Sequence, residues 1–230
     1  MYYTLMNRSG VEELAGNAAR RFLQPGQRCL DIEAFLRERL NTQVVYAVLD
    51  EKDADKIGFL SDGKTPVTIR KEGRTSEVVF PRGTVVADER LVLWGRNHMR
   101  RFTLAHEAGH IVLEKLMPRP QWTGEGEDGE KIYDAAQMRT LHQVRERQAS
   151  QFAAALLMPE FVVQELFAEQ FGGALLRIFG QGLMLTEDRL RIWHMANACG
   201  VSFEAMLRRM KGLGLVEYRP ADEYCEIFDL

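Results

Sequence analysis

Between His98 and Leu116 the residues follow a helical period, and the sequence His106-Glu107-Ala108-Gly109-His110 sits inside it. Phe102, Ala105, Gly109, Leu113 and Leu116 fall on one face, which predicts a buried stripe with His106 and His110 along its margin. Four residues make about one helical turn, so the two imidazoles project side by side and can share one Zn²⁺ through ring nitrogens. Glu107 stands next to them, where a carboxylate can take a proton from an activated water. Glycine inside a helix costs about 1 kcal/mol relative to alanine, so Gly109 predicts that another element approaches this helix closely. The chain must therefore present one face of this helix to a core and keep its margin open.

A catalytic zinc takes three protein ligands and leaves one position open. The third ligand is expected on a second helix, running from about Met138 to Leu157, whose inward stripe contains Met138, Leu141, Ala149, Phe152, Ala153 and Leu156. Glu146 lies three residues before Ala149 and seven before Ala153, which puts its carboxylate on that stripe, where burial demands a partner. His142 is one turn earlier on the same face and is also a competent ligand, so both stay open, with helical phase favouring Glu146. Gln148 is rotated about 200° from Glu146 and faces elsewhere. His98 and His194 read as structural.

Two amphipathic helices are expected at the start, Val11 to Phe22 and Asp31 to Leu40, the second capped by Asp31. Short β-rich runs follow at Val44 to Leu49, Ile57 to Leu60, Val67 to Arg70, Val78 to Phe80 and Thr84 to Ala87, punctuated by turn residues. They predict a small antiparallel sheet, and the order helices, sheet, helices predicts an α+β fold. Met117 to Lys131, with two prolines, three glycines and an acidic cluster, reads as an exposed loop.

Thirty basic and thirty-three acidic residues leave a net charge of -3, so no global field draws the chain to nucleic acid or an anionic membrane. Cys29, Cys199 and Cys225 are odd in number and far apart, which fits a reducing cytoplasm better than a disulfide framework. Neither a signal peptide nor a membrane span is expected.

Near the end, Thr186 is expected to cap a helix, Gly200 to end it, and Ser202 to cap another reaching about Lys211. The spacing of Ala196, Gly200, Val201 and Ser202 matches a helix-turn-helix, and Arg208, Arg209 and Lys211 lie on its second helix. Packing of Trp193, Ala196, Leu207 and Met210 against one another or against the catalytic body is the favoured account, with repressor docking or DNA contact as the alternative.

The segment from Arg101 to His110 closely resembles the signature of the ImmA/IrrE family of zinc metallo-endopeptidases. A second family block, an acidic residue, then Ala, Phe-Ala and Leu-Leu-Met-Pro, resembles Glu146 to Pro159. Gln148 stands where the family often has glutamate, and Ser150 where it usually has Asn or Asp. The resemblance implies His106, His110 and Glu146 as ligands of Zn²⁺ and Glu107 as the catalytic base. It also implies a zincin-like catalytic domain and a protein substrate, a helix-turn-helix transcriptional repressor.

Together these readings predict a cytoplasmic α+β protein with a zinc metallopeptidase domain over residues 1–170 and a helical, helix-turn-helix-like subdomain over 171–230. Substrate is expected to bind extended along a sheet edge, with Thr84 to Asp88 the nearest candidate. The competing reading is a non-proteolytic zinc-containing regulator that binds a repressor or DNA.

Overall fold

The structure is a computed structural model that describes residues 6–50, 57–71, 73–93, 95–117 and 135–226. The fold is mixed α+β, in the order expected from periodicity. Helix α1 (Arg8–Phe22) buries Val11, Ala15 and Ala19. Helix α2 (Ile32–Arg39) starts at Asp31, whose side chain accepts hydrogen bonds from the N–H groups of Glu33 and Ala34. This satisfies two donors that a helix start leaves unpaired.

Strands β1 (Val44–Leu49), β2 (Gly58–Leu60), β3 (Val67–Lys71), β4 (Arg74–Val78) and β5 (Val85–Asp88) form one sheet in the order β2-β5-β1-β3-β4. Three of its pairings are antiparallel, but β1 and β5 run parallel, with Val44 opposite Val85. The fourth strand begins earlier than the Val78 to Phe80 run suggested. Gly73, at φ 75°, turns the chain tightly enough to pair Lys71 with Arg74 and zip the hairpin from there. Strand β5 is wholly buried between β2 and β1, so it presents no edge to a substrate. The edge strand that packs against the helix carrying His106 and His110 is β2, and the expectation for Thr84 to Asp88 is corrected accordingly.

A short 3-10 helix, Glu89–Val92, leads into α3 (Asn97–Leu116). Asp88 caps it, and burial, which raises the carboxyl's pKa, is outweighed by hydrogen bonds from the Arg90 guanidinium and backbone, which hold it low. Helix α3 packs against β2, β5 and α2, burying Ala105, Gly109 and Leu113, whereas Phe102 and Leu116 are exposed and not part of the stripe. Helix α4 (Ala135–Leu157) buries Ala149, Phe152, Ala153 and Leu156 as its period requires. Most of the expected exposed loop after Met117 lies outside the described residues.

The remaining elements are α5 (Glu160–Phe171), β6 (Leu176–Phe179), α6 (Thr186–Cys199), α7 (Phe203–Gly212), β7 (Val216–Arg219) and α8 (Asp222–Glu226). Helices α6 and α7 form the expected hairpin. Gly200 ends α6 at φ 66°, and Ser202 caps α7 by accepting from Ala205 N–H. Thr186 begins α6 as its first residue rather than its cap. Ala196 and Met210 are buried as expected, but Trp193 is 55% exposed. The segment is also not purely helical, since β6 and β7 pair as a parallel two-stranded sheet.

Two compact units divide the chain, one from Met1–Phe22 with Asp31–Leu156, the other from Leu23–Leu30 with Leu157–Leu230. The boundary between these units falls at Leu156, and α5 packs with α6 in the second. Within the second unit Arg28 pairs with Glu165 and Glu169 of α5, and buried Arg209 donates its Nε–H to the Met158 carbonyl at 2.9 Å. Among the described residues no single helix is long and apolar enough to cross a membrane.

Candidate metal centre

The helical turn separating His106 from His110 brings their Nε2 atoms to 3.0 Å, with ring planes nearly perpendicular. Helix α4 comes in across this margin and supplies the carboxylate. Glu146 Oε2 lies 3.2 Å from His106 Nε2, and Glu146 Oε1 lies 3.3 Å from His110 Nε2. A tetrahedral metal with bonds of about 2.0–2.1 Å spaces its ligand atoms about 3.3 Å apart, close to the distance each imidazole nitrogen keeps from its nearer Glu146 oxygen. Two nitrogens and one carboxylate oxygen are also the donor set expected of a borderline-soft divalent cation. The residues present fit the ion.

The close approach predicted from Gly109 is that of α4. A Cβ added to Gly109 would meet the carbonyl oxygen of Ala149 at 2.9 Å and its Cα at 3.0 Å. Any side chain there would push α4 outward, and Glu146 with it. Arg145, beside Glu146, adds a second tie by donating its guanidinium N–H to the carbonyl of Met117, the C-cap of α3.

Glu146 is less buried than its phase implied, with 42% of the side chain exposed, and it stands where the core gives way to the site. His142 is 70% exposed, and its Nδ1 lies 3.7 Å from Glu146 Oε1, outside the triangle. His98 and His194 are exposed and outside it as well. Gln148 turns away from the cluster and donates its Nε2–H to the Met6 carbonyl at 2.6 Å.

Glu107 is 6% exposed and is not among the three donors. Burial, followed by repulsion from the Glu146 carboxylate, pushes its pKa from 4.5 up to about 7, while a backbone hydrogen bond from Leu60 pulls the other way. That N–H comes from β2. In the β2–β5 ladder Asp88 N–H donates to Ile57 and Ser61 N–H to Thr84, so the alternate residues Gly58 and Leu60 turn their backbone groups to the free edge. Gly58 lets the strand lie close to α3, since a Cβ there would meet Thr103 Cγ2 at 2.5 Å.

Two contributors carry no local sequence signature of their role. Leu60 acts through its backbone, across a separation in sequence that no local pattern reveals. Ser150 places its Oγ 3.3 Å from His106 Nδ1, and its one-turn spacing from Glu146 marks only a shared helix face.

A 77-residue stretch is 40% identical to the radiation response metalloprotease IrrE of Deinococcus radiodurans, covering 34% of this chain. The match spans only 20% of that relative's length. A Mycobacterium tuberculosis transcriptional regulator superposes with a TM-score of 0.45 at 16% identity, over 89% of this chain and 52% of its own. The IrrE N-terminal-like domain of the M78 peptidases matches residues 94–211, just over half of the chain and a span that holds all three donors and Glu107. By that match the chain belongs to the M78 peptidase family, the family of the IrrE N-terminal-like domain.

Proposed function

We propose that the protein is a zinc-dependent endopeptidase that cleaves a protein substrate, a helix-turn-helix transcriptional repressor. The observation that carries the reading is a triangle of donors, His106, His110 and Glu146, with a buried carboxylate, Glu107, standing beside it but outside it. A closed structural site would use four protein ligands and have no need of that carboxylate.

A zinc ion held by the three donors supplies Lewis acidity, which acidifies a water and polarises a peptide carbonyl. Glu107 takes the proton at a carboxylate oxygen and passes it to the leaving amine. Leu60 N–H holds the carboxylate in place. An extended substrate segment lies along the outer edge of β2, where the Gly58 backbone groups and the Leu60 carbonyl face outward while the Leu60 N–H is taken by Glu107. The repressor as substrate rests on the family resemblance, as does the cytoplasmic setting.

The test is to incubate the protein with Zn²⁺ or Mn²⁺ and a helix-turn-helix repressor encoded beside it, then map fragments by mass spectrometry. Cleavage at a defined bond by the parent, and none by Glu107→Gln, is expected. An intact repressor with the metal-loaded parent contradicts the proposal. The second reading, a non-proteolytic regulator, is favoured by the α6–α7 hairpin, where Arg208 and Lys211 are exposed. Buried Arg209 is unavailable to DNA, which narrows the basic surface this reading needs. It predicts salt-dependent DNA binding by the full chain and four protein ligands on zinc.

A further inference from the structure

Helix α4 reaches the ring of His106 from both ends. Glu146 Oε2 lies 3.2 Å from Nε2, and one turn later Ser150 Oγ lies 3.3 Å from Nδ1. A neutral imidazole carries one proton, and only the bare nitrogen can hold a metal. Nε2 is the nitrogen that faces His110 and Glu146, so the proton belongs on Nδ1, where it needs an acceptor. Among the described residues the hydrogen-bond partner at that nitrogen is the Ser150 hydroxyl.

We propose that Ser150 is a positioning residue. Its hydroxyl oxygen accepts the Nδ1–H of His106, which fixes both the tautomer and the plane of the ring and aims Nε2 at the metal. The inference rests on the zinc reading above. Gly109 underlies it, because the short distance from α3 to the backbone of Ala149 brings the next residue, Ser150, within reach of His106. A hydroxyl here does with a neutral oxygen what an Asp or Asn side chain does more strongly, so the bond is a modest one whose loss is graded rather than all-or-none.

The experiment measures zinc affinity by competition with a chromophoric chelator at one fixed pH, alongside thermal unfolding of the metal-free proteins. Ser150→Ala is expected to weaken zinc binding about tenfold or more, the range seen when such outer partners are removed. Its metal-free unfolding temperature should be unchanged or slightly higher, because alanine is the better helix former. Ser150→Thr keeps the hydroxyl and should restore affinity to within about threefold of the parent. Zinc binding by Ser150→Ala equal to the parent's overturns the proposal, as does a Ser150→Thr protein as weak as Ser150→Ala. A parent that takes up no zinc overturns the zinc reading itself, a result distinct from a zinc-binding parent whose Ser150→Ala variant is undiminished.

Discussion

Replacing Glu107 by glutamine removes a charge from a site that penalises it, and the penalty has a definite dependence on pH. The carboxyl's pKa rises from 4.5 to about 7 on folding, first because it is buried and second because Glu146 repels it. Between those two values the folded protein holds a proton that the unfolded chain has released. Stability from this group is therefore complete below pH 4.5 and is lost as pH rises through 7. The rise from 4.5 to about 7 is worth about 3 kcal/mol. Glutamine keeps the shape, still offers a carbonyl oxygen to Leu60 N–H, and never ionises. Metal-free Glu107→Gln should thus match the parent near pH 4 and exceed it by about 3 kcal/mol near pH 8, by urea unfolding of both proteins across that range. Taking the difference between the two proteins cancels the titrating groups that do not interact with Glu107. Parallel stability curves from pH 4 to pH 8 would refute the perturbed carboxyl and the burial argument behind it. The same variant should keep its zinc and lose cleavage, so that a more stable protein is an inactive one.

Three further outcomes follow from the contacts. Glu146→Ala should lower zinc affinity by orders of magnitude while His142→Ala leaves it within about threefold, measured by chelator competition; the reverse order would make His142 the third ligand. Gly109→Ala gains helix propensity but drives a methyl into the Ala149 backbone, so a net destabilisation of about 1–2 kcal/mol is expected by urea unfolding, together with weaker zinc binding. Gly58→Ala should raise KM and lower kcat for peptide cleavage by lifting β2 off Thr103, and adding Thr103→Ser, which removes the clashing methyl, should recover most of the loss.

The parts of the site that were legible in the sequence are those written within one helix. His106, Glu107 and His110 are set by a single turn of α3, and helical phase placed Glu146 and excluded Gln148 before any tertiary contact was known. Gly109 declared a close neighbour without naming it. What the sequence could not supply was long-range pairing. Strand β2 is three residues long, and only its antiparallel register with β5 decides that Leu60 turns its N–H toward Glu107. The same register buries β5, which local pattern alone had offered as an edge. Face assignments failed where a stripe runs past the core. Phe102 and Leu116 extend the apolar row of α3 beyond the elements that cover it, and Trp193 stands at the exposed flank of the α6 face that buries Ile192, Met195 and Ala196. In the second unit, four-residue strands flanked by helices gave too short a period to separate from helix, so β6 and β7 went unread.

The coordination shell of zinc in the purified protein tests most directly whether the site is open, with the Glu107 carboxylate beside the metal and not bound to it. X-ray absorption on the one-to-one complex should give two imidazole nitrogens, one carboxylate oxygen and one oxygen from solvent, with no sulfur, and the same shell in Glu107→Gln. A shell of four protein ligands, or one that changes when Glu107 is replaced, would contradict the account.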